Sequence, residues 1–67
     1  MHKFSERLKE LRKEFNLTGQ QLAEKVNIHQ TTLSAYELGH SEPTISMAIK
    51  LAQFFDVTIG YMLGLED

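Results

Sequence analysis

The sequence predicts an all-α fold of about five short helices, and three observations carry that prediction. Apolar residues recur at helical spacing, most clearly at Phe4, Leu8, Leu11 and Phe15. No run of four or more residues alternates apolar with polar in the manner of a strand. Capping and stopping residues follow one another closely, at Thr18, Asn27, Gly39, Thr44, Thr58 and Gly64. The 67 residues leave room for one hydrophobic core, because a second needs roughly another 50 residues. A 42% hydrophobic content with four Phe and two Tyr can build that core without staples. Residues 1–67 are therefore read as a single domain.

The first helix runs from about residue 3 to 15, its apolar stripe set against a charged opposite face. Thr18-Gly19-Gln20-Gln21 then fits a capping box, with Leu17 and Leu22 placed as a hydrophobic staple across it. That second helix has only about two turns before Asn27, a good left-handed stop. A third begins within two residues, turns Leu33 and Tyr36 inward and stops at Gly39. After the loop His40-Ser41-Glu42-Pro43, Thr44 caps a fourth helix whose broad apolar face, Ile45, Ala48, Ile49, Leu51, Ala52 and Phe55, is expected deep in the core. Asp56 interrupts it, and Thr58 caps a last short helix carrying Ile59, Tyr61, Met62 and Leu63 as far as Gly64.

Two short helices joined by a turn of three to four residues, the second opening with small polar side chains, make a helix-turn-helix over about residues 18–38. Ala23 is small where the two helices cross, Asn27 makes the turn, and Leu22, Ile28 and Leu33 form the seam beneath. Gln30, Thr31, Ser34 and Ala35 are left outward, a short uncharged face that fits a groove. In order and spacing, the chain resembles the Cro and Xre family of prokaryotic helix-turn-helix regulators, whose domain is lambda repressor-like. The resemblance rests on Leu17-Thr18, Leu22-Ala23-Glu24-Lys25, Gln30-Thr31-Thr32-Leu33-Ser34, Glu37, Gly39, Pro43, Leu51-Ala52 and Val57-Thr58, and it runs from about Leu8 to Leu63.

That resemblance implies sequence-specific binding of double-stranded DNA by a transcriptional regulator, more often a repressor, reading a palindromic operator as a homodimer. It places base reading on Gln30 and Thr31, with Ser34 and Ala35 alongside. Independently, a glutamine amide can bond adenine through both its oxygen and its nitrogen, and Thr31 or Ala35 can touch a thymine methyl. The bland alternative is that these side chains are solvated helix surface. The family also pairs an arginine late in its first helix with the glutamate before the closing glycine, here Arg12 and Glu37, as a structural ion pair. Expected DNA-backbone contacts are Arg12, Lys13, Gly19, Gln20, Gln21, His29, His40 and Thr44, with Lys9 a further candidate for charge. Ile59, Tyr61 and Met62 are expected to form an apolar dimer interface, because a helix of barely two turns is too short to bury all three.

Charge argues against easy DNA binding, since the formal net charge is −2. Its distribution helps: residues 1–15 hold Lys3, Arg7, Lys9, Arg12 and Lys13 against Glu6, Glu10 and Glu14, whereas the remainder is strongly acidic. Three features depart from the family pattern: Gly19 stands where a glutamine often contacts phosphate, the loop at His40-Ser41-Glu42 is not basic, and Ala35 replaces a frequent arginine. They suggest modest affinity, with help from dimerisation. A protein-interaction module or antitoxin on the same scaffold is the competing reading; DNA binding alone predicts a steep salt dependence. No cysteine is present for disulfides, thiolate metal sites or thiol catalysis. His2, His29 and His40 lack metal-ligand spacing, and no serine or carboxylate pair is arranged for catalysis, so neither cofactor nor enzyme activity is implied. The charged N-terminus is no signal peptide and no apolar run approaches the ~20 residues of a membrane span, so a cytoplasmic location is expected.

Overall fold

The computed structural model describes residues 2–66. Five helices follow in order: α1 (His2–Glu14), α2 (Gly19–Lys25), α3 (Gln30–Glu37), α4 (Ile45–Phe55) and α5 (Ile59–Met62). No strand occurs among the described residues.

One local device ends every helix. At α1 the amide of Leu17 donates to the carbonyl of Arg12 at 3.0 Å and that of Asn16 to Lys13 at 3.0 Å, the paired bonds of a Schellman motif. The same pair recurs after α2 (Ile28 to Ala23, Asn27 to Glu24), α3 (His40 to Ala35, Gly39 to Tyr36), α4 (Val57 to Ala52, Asp56 to Gln53) and α5 (Leu65 to Gly60, Gly64 to Tyr61). Each motif needs one left-handed residue, and Asn16, Asn27, Gly39, Asp56 and Gly64 supply it with φ between 56° and 79°. Three connectors repeat a single tripeptide logic of left-handed polar residue, apolar residue and N-cap: Asn16-Leu17-Thr18, Asn27-Ile28-His29 and Asp56-Val57-Thr58. The middle residue packs against the core in each case, so it closes one helix and steers the next.

The core gathers Phe4, Leu8 and Leu11 of α1, Leu22 and Ala23 of α2 with its C-cap Val26, Leu33 and Tyr36 of α3, the α4 residues Leu51, Ala52 and Phe55, and Met62 of α5. Each fully buried leucine contributes ~1.5–3 kcal/mol relative to exposure. α1 lies against both α3 and α5, and an edge-on contact between the rings of Phe4 and Tyr36, 5.9 Å apart, joins α1 to the back of α3.

The packing corrects three expectations. Phe15 lies just past the end of α1 and is 47% exposed; its ring meets Phe55 edge-on at 5.0 Å at the rim of the core. α4 does not sink into the core on its whole apolar face: Ala48, Leu51, Ala52 and Phe55 are buried, but Ile45 is 70% and Ile49 41% exposed. The two isoleucines lie to one side of the buried stripe, where no other helix covers them. α5 has four residues instead of two turns, and Met62 is wholly buried. A helix this short is laid flat on α1 and α4, so its methionine faces inward and cannot supply the expected interface.

Candidate nucleic-acid interface

α2 and α3 pack against each other through Leu22, Ala23, Ile28 and Leu33, with the turn centred on Asn27 at φ 60°. Thr18 starts α2 with both halves of a capping box: the Gln21 amide donates to Thr18 Oγ1 at 3.1 Å, and the Thr18 amide donates to Gln21 Oε1 at 2.8 Å. The backbone amide and side-chain oxygen of Gln21 are therefore occupied, leaving its Nε2 and the exposed Gln20 to meet a ligand.

α3 buries Leu33 and Tyr36 and presents Gln30, Thr31 and Ser34 to solvent, with Ala35 half-buried beside them. The Gln30 carboxamide lies over the start of α2: a Cβ built on Gly19 would stand 3.9 Å from its Nε2, and equally far from a Leu33 methyl. His29 is exposed at the N-cap and makes no capping hydrogen bond, whereas Thr18, Thr44 and Thr58 all cap their helices through the hydroxyl. His40 is exposed just past α3. Thr44 is exposed too, its hydroxyl accepting from the Met47 amide at 3.1 Å.

Behind this face, α1 is locked to α3. Arg12 Nε donates to Glu37 Oε2 at 2.6 Å and its NH2 group to Oε1 at 3.0 Å, a bidentate pair with side chains only 17% and 12% exposed. A third donor, NH1, reaches the Leu17 carbonyl at 3.0 Å, fixing the α1–α2 connector to the same guanidinium. The hydrogen bond to Glu37 raises the Arg12 pKa above its ordinary value, against the opposing effect of burial. So anchored, Arg12 holds α3 and the α1–α2 connector to α1, while the neighbouring Lys13 is exposed.

The three residues expected at a dimer interface diverge. Ile59 is 38% exposed, Tyr61 is half-buried under the Arg7 guanidinium 4.0 Å above its ring, and Met62 is in the core. Sequence reasoning missed the role of Arg7, which also donates to the carbonyls of Tyr61 at 3.0 Å and Glu66 at 2.7 Å. Partners this far along the chain leave no local signal. Among the described residues no cluster of His, Asp and Glu is placed to hold a metal ion, and no helix is long and apolar enough to cross a membrane.

Residues 8–62 match the family model described as helix-turn-helix. The chain is similar to YobD of Bacillus subtilis, an uncharacterized HTH-type transcriptional regulator, with 39% identity over 64 residues that cover 96% of this chain and 57% of YobD. It is similar to RstR of Vibrio cholerae, a cryptic phage CTXphi transcriptional repressor, with 34% identity over 62 residues covering 92% of this chain and 55% of RstR. The crystal structure of a transcriptional regulator from Listeria innocua superposes with a TM-score of 0.87 at 34% identity, covering 96% of this chain and 60% of that one. The chain thus spans 55–60% of the length of these three proteins.

Proposed function

The chain belongs to the Cro/Xre-type helix-turn-helix family of DNA-binding transcriptional regulators, and from that premise we propose that it binds double-stranded DNA sequence-specifically with α3 in the major groove. One observation carries the proposal: α3 shows solvent a hydrogen-bonding face free of charge, Gln30, Thr31 and Ser34, on a back held rigid by Leu33, Tyr36 and the Arg12–Glu37 pair. Glu37, the only charged residue of α3, is turned to Arg12 and so is kept from repelling phosphates. Residues 1–67 act as one DNA-binding domain, with the helix-turn-helix over about 18–38.

Phosphate contacts fall to Lys13, Gln20, the free end of Gln21, His29, His40 and Thr44, with the backbone at Gly19 close by and Arg12 in a supporting place. The chain acts in the cytoplasm as a non-catalytic regulator, and likeness to RstR favours repression of a promoter by occupation of an operator. It binds a two-fold symmetric site as a homodimer. Ile59 and the 80% exposed Leu65 beside it supply the apolar contact, and two α3 helices about 34 Å apart then meet successive major grooves.

A binding selection from random duplexes tests the proposal. Wild type should enrich an inverted repeat, and Gln30→Ala should relax one position per half-site while the helical circular-dichroism spectrum stays unchanged. An unchanged preferred site would remove Gln30 from base reading. Affinity should fall with salt, as an interaction module's would not, but with so few cations on this side the slope should stay below that of a basic binder; a log-log plot reporting six or more counterions released per monomer contradicts the assignment.

A further inference from the structure

We infer that Arg7 is a positioning residue for dimerisation on DNA: from α1 it holds residues 64–66 as a strap folded over α5, which brings Leu65 beside Ile59 as one contact for a second copy of this chain. The inference rests on the homodimer proposed above and concerns what holds its surface together.

A helix of four residues has little stability of its own, so α5 and the turn after it take their places from what grips them. Met62, in the core, and Thr58, whose hydroxyl accepts from the Tyr61 amide at 3.0 Å, pin the helix itself. Beyond it Gly64, at φ 79°, turns the chain back, and the Leu65 amide donates to the carbonyl of Gly60, next to Ile59, at 2.8 Å. The α1 face that carries Lys3 and Arg7, one helical turn apart, receives this turn, with the Lys3 stem packed beside Gly64. Arg7 stacks 4.0 Å over the Tyr61 ring and donates through one nitrogen to the carbonyls of Tyr61 at 3.0 Å and Glu66 at 2.7 Å, so a single cation spans helix and strap. At the far end the Thr58 hydroxyl donates to Glu66 Oε1 at 2.6 Å. The strap thereby closes over Gly60, where an added Cβ would run into the Glu66 carboxylate.

Closed in this way, the strap adds Leu65, 80% exposed, to Ile59, 38% exposed. Lys3 beside Gly64 and Glu66 next to Leu65 are both exposed and of opposite sign, which suits a two-fold contact between identical surfaces. With the strap released, Leu65 rides on a free end, and Ile59 alone is too little apolar surface to hold two copies together. Arg7 grips α5 where Arg12 grips α3, so the dimer contact and the reading helix are tied to α1 separately.

Fluorescence anisotropy on two duplexes tests the inference: the inverted repeat that wild type enriches, and one half of it set in unrelated sequence. Arg7→Gln should weaken binding to the inverted repeat by about 10-fold or more, and Glu66→Ala, which removes the tie to Thr58, by about threefold. Both variants should bind the half-site within about twofold of wild type. Glu66 is exposed and its truncation spares the core, so this second variant reads the strap even where loss of Arg7 loosens the fold. Equal losses on the two duplexes for both variants assign these residues to folding alone, and no loss on either duplex leaves the strap without a role; each result overturns the inference. An Ile59→Glu variant that still binds the inverted repeat two to one defeats the homodimer proposal itself.

Discussion

Glu37→Ala removes both acceptors of the Arg12 fork, and the structure sets the size of the loss. The two hydrogen bonds, at 2.6 and 3.0 Å, are made by side chains 17% and 12% exposed, so the guanidinium left behind keeps only the Leu17 carbonyl and little water. Breaking a fully buried pair from one side costs about 3–5 kcal/mol; the residual exposure here brings the figure to about 2–3 kcal/mol. For a domain of 67 residues that is a large share of a total on the order of 3–10 kcal/mol. The melting temperature should fall by roughly 10–20 °C. Urea denaturation should show a lower midpoint at an unchanged m-value, as expected when stability and not compactness has changed. A double-mutant cycle with Arg12→Ala separates the pair from packing: the double variant should be at least about 1 kcal/mol more stable than the summed single losses imply. Arg12→Met combined with Glu37→Leu should come close to wild type. The raised Arg12 pKa makes its contribution fully present below the ordinary arginine range and lost only as pH climbs above it, so the Arg12 charge does not titrate away between pH 6 and 9. A loss under about 0.5 kcal/mol for Glu37→Ala, or strict additivity in the cycle, would refute the reasoning.

Three further predictions follow from the caps and the C-terminal turn. His29→Thr should install the hydroxyl cap that Thr18, Thr44 and Thr58 already make, raising stability by about 0.5–2 kcal/mol in thermal melts; if His29 meets a phosphate, the same variant loses affinity for every sequence alike in fluorescence anisotropy. Met62→Glu should unfold the chain by burying a carboxylate, whereas Ile59→Glu should leave the circular-dichroism spectrum intact and abolish the two-to-one complex on a palindromic duplex in ultracentrifugation; a complex that survives Ile59→Glu removes this surface from the dimer. Gly64→Ala should cost at least about 1–2 kcal/mol in chemical denaturation, since φ is +79° and the added Cβ would run into the Lys3 side chain.

How much of the molecule could be read along the chain depends on the range of the interaction. Thr18, Thr44 and Thr58 were legible as caps, and Asn27, Gly39, Asp56 and Gly64 as breaks, because a capping bond or a left-handed residue involves atoms only two to five positions apart. Asn16 belongs to the same set, and the repeated Asn-Leu-Thr, Asn-Ile-His and Asp-Val-Thr connectors were the signal for it. The outward face of α3 was equally legible: once Leu33 and Tyr36 turn inward, helical geometry leaves Gln30, Thr31 and Ser34 outside.

By itself, then, the sequence determined where the threonine caps and the left-handed stops fall and which side of α3 meets solvent, both consequences of short-range geometry. Tertiary structure alone decided which apolar faces are covered. Ile45 and Ile49 read as core in one dimension, yet they stay exposed because no helix arrives on their side of α4. Met62 reads as surface on so short a helix, yet it is buried because α5 is pressed onto α1 and α4, and Arg7 clasps the carbonyls of Tyr61 and Glu66. Burial is a property of what packs against a residue, and for a helix of four residues that neighbour is always another part of the chain.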